Sequence, residues 1–337
     1  MTARALIAVT GGAGFIGANL AAALNRRGCD VLLVDDFAGG GEEKLRNISG
    51  LNIAERMDKR EFLEAARAGR LPRELSAVLH QGACADTMET DEKYMMENNL
   101  DYSKTLFEFC AKRGAQFIYA SSASVYGGGD VFTESPECES ALNIYAKSKL
   151  LFDNFVRGER PQFQCVGLRY FNVYGPREDH KGRMASVARH FLLQYMKDGG
   201  VRLFEGGGGY ADGEQRRDFI SVEDVVAINM FFLDNPSIGG IYNAGCGRSE
   251  SFNAVALAAI NACRRRGGRE PATLERAREE GEISYIPMPA ALRGKYQNYT
   301  EADLTKLRAA GYGEKFLRIE EGVDRYAGHL LDAPARA

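Results

Sequence analysis

Tyr145 and Lys149 lie four positions apart near the middle of the chain. Residues with this spacing share one face of a helix, so the sequence places a phenol beside an ammonium group. A neighbouring ammonium lowers the pKa of a phenol, and a phenolate can act as a base at neutral pH. The pair therefore predicts acid–base chemistry on one helix face.

A glycine-rich loop, Gly11-x-x-Gly14-x-x-Gly17, follows the first apolar run and opens the first helical pattern. Glycines in this context make a tight turn, admit a pyrophosphate to the backbone N–H groups and let helix and strand pack closely. Asp35 ends the second apolar run, where an acid would hydrogen-bond an adenosine ribose. Together with the Tyr–Lys pair, the loop predicts hydride chemistry with a bound dinucleotide.

The charges around Asp35 bear on which dinucleotide binds. A carboxylate repels a 2′-phosphate, so Asp35 and its neighbour Asp36 favour NAD. Lys44 and Lys59 follow in the sequence and would compensate that charge. The residues alone therefore lean slightly to NAD and leave NADP open.

Apolar runs and helical patterns alternate in the first half of the chain, which predicts an α/β fold with a doubly wound parallel sheet, a Rossmann domain. The predicted strands are 5–10, 30–34, 77–80, 116–120 and 164–168, and the predicted helices are 15–27, 59–67, 91–113 and 145–157. A looser pattern after Pro176 predicts a smaller α/β domain. We assign 1–172 and about 219–246 to dinucleotide binding, and about 173–218 and 247–337 to substrate binding. The charge-dense stretch 264–282 is interpreted as a solvated helical insertion.

Composition excludes several classes of protein. A formal net charge of -3 over 337 residues argues against a nucleic-acid binder or a polybasic membrane surface. No apolar run approaches the ~20 residues that span a bilayer, and the early first strand leaves no room for a signal peptide. Seven scattered cysteines predict a reduced, cytoplasmic protein, and the spacing of the four histidines predicts no metal site.

Several longer motifs carry a family resemblance: the glycine loop 10–17, the segments 80–84, 93–99, 120–127, 169–182 and 203–206, and Tyr145-x-x-x-Lys149. With these motifs the chain resembles the extended short-chain dehydrogenase/reductases that act on nucleotide sugars. Within that superfamily it is similar to the ADP-heptose 6-epimerase family, over nearly the whole chain. The segments 93–99 and 180–182 are the most specific part of the likeness.

The resemblance implies a role for individual residues. The implied catalytic residues are Ser122, Tyr145, Lys149 and Lys181. The implied cofactor-binding residues are Gly11, Gly14, Phe15, Ile16, Gly17, Asp35, Asp36, Lys44, Lys59, Gln81, Gly82, Ala83, Cys84, Ala85, Asn98, Tyr145, Lys149 and Val173. The implied substrate-binding residues are Asn172, Arg183, His190, Phe204, Glu205, Gly206, Arg217 and Tyr296. The resemblance also implies NADP, an ADP-sugar substrate and a homo-oligomer, a pentamer or a multiple of one.

The implied reaction inverts carbon 6 of ADP-D-glycero-D-manno-heptose, a precursor of the lipopolysaccharide core. Carbon 6 is oxidised to a ketone, the intermediate rotates, and the hydride returns to the opposite face. Two faces need two proton donors or acceptors, a role that fits Tyr145 and Lys181.

Departures from the family pattern and rival functions are also visible in the sequence. The family tends to have Asn where this chain has Asp36, and Ser where it has Arg183. A UDP-sugar 4-epimerase would not need Lys181, and a dehydratase would need carboxylates where this chain has Ala123 and Ser124. A non-catalytic dinucleotide-binding protein is the third alternative, although such proteins commonly lose the Tyr or the Lys.

Overall fold

The computed structural model describes residues 4–39, 41–289 and 297–331. In this part of the chain the strands are β1 (Leu6–Thr10), β2 (Asp30–Asp35), β3 (Glu55–Asp58), β4 (Leu75–His80), β5 (Gln116–Ser122), β6 (Cys165–Tyr170), β7 (Asn172–Tyr174), β8 (Val201–Phe204), β9 (Arg216–Ser221), β10 (Gly240–Ala244), β11 (Ser249–Ser251) and β12 (Ile283–Ile286).

The α-helices are α1 (Phe15–Arg26), α2 (Gly41–Arg46), α3 (Lys59–Arg67), α4 (Glu92–Met95), α5 (Tyr102–Arg113), α6 (Ile144–Glu159), α7 (Val187–Asp198), α8 (Val222–Asp234), α9 (Phe252–Arg266), α10 (Leu274–Glu279), α11 (Thr305–Ala309) and α12 (Ile319–Leu331). Short 3₁₀ segments cover Ala123–Tyr126, Pro136–Cys138 and Asp179–Met184, and a π-helical segment covers Met96–Asp101. None of these helices has both the length and the apolar character that crossing a membrane requires.

The chain divides into two compact units, of which the first comprises 1–170, 225–244 and 304–313. Its sheet has seven parallel strands in the order β3-β2-β1-β4-β5-β6-β10. Strand order reverses between β1 and β4, and ligands of doubly wound sheets bind at the carboxyl edge of such a point. This sheet confirms the predicted Rossmann fold.

Buried apolar side chains explain why these strands form the middle of the sheet. Val9 in β1, Leu33 in β2 and Leu79 in β4 lie in register and are fully buried. Helices cover both faces of such a sheet, so its strands are apolar throughout. The edge strand β3 was not predicted from the sequence because its residues, Glu55 to Asp58, are mostly charged and only half-buried or exposed.

The second unit comprises 171–224, 245–303 and 314–337. It contains a three-stranded sheet in the order β11-β9-β7 and a parallel pair, β8 and β12. Helices α7 and α12 both pack against α9 around an apolar core that includes Leu192, Val255 and Val323.

Three sequence-based predictions of local structure need correction. The predicted helix 91–113 contains a π-helical segment between α4 and α5. The stretch 264–282 is not simply solvated, because Arg264 is 1% exposed and forms an ion pair with the buried Glu282 at 2.7 Å. Residues 304–313 belong to the first unit, since α11 packs on β10 and the Lys306 ammonium lies 5.1 Å from the Tyr242 ring centroid.

Candidate functional site

The glycine loop lies between β1 and α1, at the carboxyl edge of the first unit's sheet. Gly11 has a φ of +61°, and a Cβ at Gly17 would lie 2.1 Å from the Gly11 carbonyl oxygen. Gly14 caps α1 without a side-chain hydrogen bond, so the first N–H groups of this helix keep their capacity to bind an anion. Phe15 and Ile16 form the first turn of that helix. The loop therefore has the close approaches that a pyrophosphate-binding turn requires.

Two lysines neutralise the two aspartates at the end of β2. Asp35 is 4% exposed, accepts a hydrogen bond from the Ala13 N–H at 2.8 Å and forms an ion pair with Lys44. Lys59 lies 3.2 Å from Asp36 and also donates to the Asn98 side chain at 3.3 Å. The backbone N–H of Gly39 and the Lys59 charge hold the pKa of Asp36 below its usual range, against the effect of burial. The predicted ribose-binding acids are thus paired with the predicted cations.

A chain of hydrogen bonds connects the glycine loop to the π-helical segment. The Gly82 N–H donates to Thr10 Oγ1 at 3.1 Å, and Thr10 Oγ1 lies 2.6 Å from His80 Nδ1. His80 Nε2 lies 2.9 Å from Ser103 Oγ, whose hydroxyl donates to the Asn99 carbonyl. Burial, with a smaller effect of the Lys149 charge, lowers the pKa of His80 to about 3, so its ring is neutral. His80 is therefore a packed core residue that also joins three elements.

Asn99 is a residue of this region that sequence reasoning missed. Its side chain is 2% exposed, accepts from the Cys84 N–H at 2.8 Å and donates to the Cys84 carbonyl at 3.0 Å. It also lies 3.1 Å from Ser148 Oγ on α6. Asn99 thus holds the predicted cofactor segment, Gln81 to Ala85, beside the helix that carries Tyr145. Consecutive asparagines in a predicted helix interior were the available signal, because asparagine is a poor helix former.

Ser122, Tyr145 and Lys149 come together in the first unit. Asn143 caps α6 by accepting from the Ala146 N–H at 2.8 Å, which starts the helix just before Tyr145. The Ser122 hydroxyl acts on the Tyr145 phenol and opposes the rise in its pKa that burial causes. Ser122 also accepts from the Ser124 N–H at 3.2 Å, so it caps the following turn as well. Lys149 is 7% exposed and donates to the Ala120 carbonyl at 2.8 Å.

The electrostatics of Tyr145 differ from the sequence-based expectation. Burial raises the pKa of Tyr145, and the Ser122 hydroxyl opposes that rise. The predicted depression of this pKa by Lys149 is wrong for this structure. Burial lowers the pKa of Lys149 itself to about 8, against the negative charge of Asp153, and its ammonium is directed to the Ala120 carbonyl.

A buried network of charged residues lies next to Ser122 and Lys149, and the sequence analysis did not predict it. Asp153 is fully buried on α6, four residues after Lys149, and accepts from Tyr119 at 3.0 Å and from Ser121 at 2.9 Å. Arg169 of β6 is also fully buried and pairs with Asp153 at 2.9 Å. The network ties α6 to the end of β5, next to Ser122. Partners so distant in sequence give no local signal.

The second unit carries Lys181 on the 3₁₀ segment that precedes α7. Lys181 is half-buried, and its N–H donates to the Glu178 carbonyl at 3.0 Å. Burial lowers the pKa of Lys181, and the negative charge of Glu178 opposes this shift. The next residue, Gly182, has a φ of +51° and breaks the helical turn. A lysine with a lowered pKa is suited to acid–base chemistry near neutrality.

The other predicted substrate residues of this unit lie on several elements. Asn172 belongs to β7, Arg183 is exposed on the 3₁₀ segment, and His190 is half-buried on α7. Val173, a predicted cofactor-binding residue, also lies on β7. Phe204 ends β8, and Glu205 and Gly206 follow it. The Gly206 N–H donates to the Asp212 carboxylate at 2.7 Å. Tyr296 lies outside the described residues.

Arg217 is a buried guanidinium on β9. It is 6% exposed, lies 5.8 Å from the Phe252 ring centroid and donates to the Arg216 carbonyl at 2.9 Å. Its neighbour Asp218 accepts from the backbone N–H groups of Cys246, Gly247 and Ala302 at 2.7, 2.9 and 3.0 Å. The Asp218 carboxylate therefore anchors the backbone of this unit beside Arg217.

Residues 7–245 match the model of the NAD dependent epimerase/dehydratase family. The chain belongs to this family. It is also 55% identical, over 96% of its length and 98% of the relative's, to an ADP-L-glycero-D-manno-heptose-6-epimerase from Thiobacillus denitrificans. This identity confirms the resemblance predicted from the motifs.

Solved structures agree with this membership in the epimerase/dehydratase family. The crystal structure of Helicobacter pylori ADP-L-glycero-D-manno-heptose-6-epimerase is 29% identical, with a TM-score of 0.81 over 97% of this chain and 96% of that chain. The Thermus thermophilus UDP-glucose 4-epimerase, in complex with NAD, is 28% identical, with a TM-score of 0.74 over 97% and 99% of the two chains.

The local geometry separates the two reactions named in the family's description. Elimination of water, as in a dehydratase, needs a general acid and a general base, and the family resemblance implies that carboxyl groups at positions 123 and 124 would supply them. The two residues after Ser122 are Ala123 and Ser124. Ala123 is buried, and the Ser124 hydroxyl donates to Ser122 Oγ at 2.9 Å. Neither side chain can supply the acid, so this part of the site favours epimerisation.

Proposed function

We propose that the protein inverts carbon 6 of ADP-D-glycero-D-manno-heptose to give ADP-L-glycero-D-manno-heptose, by transient oxidation with bound NADP, as a step in the synthesis of lipopolysaccharide core precursors. The observation that carries the proposal is the 55% identity over nearly the whole chain to an enzyme named for this reaction. The interaction of Ser122 with Tyr145, together with the buried Lys149 on the same helix as Tyr145, supports it chemically.

The first unit has the features that a dinucleotide needs. The Gly11–Gly17 turn leaves no room for a Cβ, and the α1 N-terminus has no side-chain cap. We favour NADP over NAD because Lys44 pairs with Asp35 and Lys59 pairs with Asp36. With the aspartate charges compensated, these lysines can interact with a 2′-phosphate. NAD is the alternative cofactor.

The bound nicotinamide would accept a hydride from carbon 6 of the sugar and return it. Tyr145 exchanges a proton with the carbon 6 hydroxyl from one face, and Ser122 hydrogen-bonds the same oxygen. Lys149 orients the nicotinamide ribose from its buried position on α6. Lys181 exchanges the proton on the opposite face, since inversion of a carbon requires a proton donor or acceptor on each side.

The substrate contacts of the proposal lie in the second unit. Arg217 holds the diphosphate, because a guanidinium binds phosphate oxygens bidentately. Asn172, His190 and the Phe204–Gly206 segment contribute the remaining polar and apolar contacts to the ADP-sugar. We also propose a cytoplasmic homo-oligomer, a pentamer or a multiple of one; the seven free cysteines fit a reducing compartment.

A proton NMR time course of the purified protein with ADP-D-glycero-D-manno-heptose tests the reaction. We expect the L-glycero epimer to appear without added reductant or oxidant, because the hydride is returned. Tyr145→Phe and Lys181→Met should each lower turnover by ~10²- to 10⁴-fold, the typical contribution of a general acid or base. Dinucleotide affinity should stay within a factor of about three in both variants.

Two results would contradict the proposal. No conversion, even after addition of NADP+ and then NAD+, would exclude this substrate, and UDP-sugars would be tested next. Near-normal turnover by Lys181→Met would remove the second base and leave a one-base mechanism.

A further inference from the structure

Glu178 is a fully buried carboxylate at the start of the segment that carries Lys181. Its Oε2 accepts from the Ser186 N–H at 2.6 Å, and its Oε1 accepts from the Ser186 hydroxyl at 2.6 Å. The Gly175 N–H also donates to Oε1, at 3.4 Å. Glu178 therefore connects the residues before and after the Lys181 turn, all within the second unit.

The backbone of this segment has three positive φ values, one of them at a non-glycine residue. Gly175 has a φ of +142°, Arg177 a φ of +74° and Gly182 a φ of +51°. A positive φ at a non-glycine residue costs on the order of 1–3 kcal/mol and persists only where surrounding contacts impose it. The contacts of Glu178 with Gly175 and Ser186 are of this kind, because they fix the chain on both sides of Arg177 and Gly182.

The charged groups around Glu178 come from three elements. Arg189 on α7 pairs with Asp179 at 3.0 Å, so these two charges compensate each other. Tyr326 on α12 is 1% exposed, and burial and the Glu178 charge raise the pKa of its phenol. Lys181 lies on the same segment, and the negative charge of Glu178 opposes the effect of burial on the pKa of its ammonium. Tyr326 stays neutral at working pH and adds no negative charge there.

We propose that Glu178 is the positioning residue of Lys181: its buried carboxylate fixes the turn that carries the lysine and supplies a negative charge within the same segment. The inference rests on the proposed role of Lys181 as the second acid or base. It adds a residue that does not contact the sugar and acts only through Lys181.

The first test measures Lys181 directly and needs no activity. Acetic anhydride labels only neutral amines, so the pH dependence of Lys181 labelling, followed by peptide mass spectrometry, reports its titration. In the full-length Glu178→Gln variant we expect the midpoint to fall by about one pH unit, since loss of a nearby opposite charge disfavours the ammonium. Asp179→Asn is the matched control: it removes the same charge one residue away, but from a group paired with Arg189, and should leave the midpoint unchanged.

The second test measures epimerisation over the same pH range. Glu178→Gln should lower kcat by roughly 10²-fold, the effect of a slightly misplaced catalytic group, and change KM less than about threefold. Its pH profile should shift in the direction of the labelling midpoint. Glu178→Asp keeps the charge but shortens the side chain, so it should restore the midpoint while kcat stays at least ~10-fold reduced.

The outcomes separate this inference from the proposed function. An unchanged midpoint in folded Glu178→Gln, or one that moves equally in Asp179→Asn, overturns the role of Glu178 whatever the activity. A kcat in Glu178→Asp equal to that of the wild type overturns the anchoring role. This test remains available if circular dichroism shows that Glu178→Gln does not fold. A wild-type protein that does not epimerise the heptose, but whose midpoint falls in Glu178→Gln, refutes the proposed function and supports the electrostatic coupling.

Discussion

Lys44 and Lys59 form ion pairs with the two aspartates at the end of β2, where we propose that the cofactor ribose binds. Lys44 is 22% exposed and pairs with the nearly buried Asp35, so removing its charge leaves an uncompensated carboxylate. We expect Lys44→Ala to weaken NADP+ binding by at least ~10-fold while NAD+ binding changes much less, because a charged hydrogen bond to a 2′-phosphate is lost and repulsion is gained. Isothermal titration with each cofactor measures the ratio.

Lys93→Ala is a suitable control for that experiment. Lys93 on α4 is 85% exposed and pairs with Glu97 of the following π-helical segment at 3.8 Å, so its loss should alter neither affinity. Equal weakening of NADP+ and NAD+ by Lys44→Ala would show that the lysine supports the fold of the loop and does not select the cofactor.

Tyr145 shows which properties of a single residue the sequence can predict and which it cannot. Its spacing from Lys149 correctly placed both on α6, because helix periodicity is a local property. The pKa of Tyr145 depends on burial and on Ser122, which comes from a strand more than twenty residues earlier. Spacing therefore predicts the helix that both residues share, whereas the direction of the pKa shift requires the packed structure.

At the scale of elements, the π-helical segment depends on Asn99. Its buried amide connects Cys84, Met95 and Ser148. We expect Asn99→Ala to lower the free energy of unfolding by about 2–4 kcal/mol, since several buried polar groups lose their partner at once.

Urea denaturation followed by circular dichroism measures this change in the free energy of unfolding. Glu97→Ala, an exposed change in the same segment, should stay within about 0.5 kcal/mol, and equal losses in both variants would contradict the role of Asn99.

Elements were predictable where their signals are local. The strand, glycine loop and helix at 6–26 follow from apolar runs and turn residues. The π-helical segment at 96–101 was not predictable, because one extra residue in a turn leaves the apolar pattern of the predicted 91–113 helix nearly unchanged. The charged edge strand β3 was missed because its position at the edge of the sheet becomes visible only once the sheet is assembled.

At the scale of the whole molecule, the sequence indicates the two units but not the charges buried inside them. Arg169 in the first unit and Arg264 in the second are at most 1% exposed. Each is paired with carboxylates sixteen or more positions away, Arg169 with Asp153 and Glu139, Arg264 with Glu280 and Glu282. A buried charge persists only with such partners. From the sequence alone these partners are not visible, so a charge-dense stretch such as 264–282 is interpreted as exposed to solvent.

His80 gives the stability of the molecule a defined pH dependence. Burial lowers its pKa to about 3 in the folded chain, whereas a histidine in the unfolded chain has a pKa of ~6.5. The unfolded chain therefore takes up a proton between these values and the folded chain does not, so stability present above pH ~6.5 is lost as the pH falls. Between pH 7 and pH 5 this residue alone should remove about 2 kcal/mol from the free energy of unfolding.

His80→Gln isolates that contribution, because glutamine does not titrate. The variant is expected to be less stable at pH 7, since the hydrogen bonds to Thr10 and Ser103 are disturbed. Its loss of unfolding free energy between pH 7 and pH 5, measured by urea denaturation, should nevertheless be about 2 kcal/mol smaller than that of the wild type. His329→Gln makes the same substitution at an exposed position and should reproduce the wild-type slope. If His80→Gln also keeps the wild-type slope, His80 is protonated in the folded chain, and the neutral ring that joins Thr10 to Ser103 is the wrong description of this core.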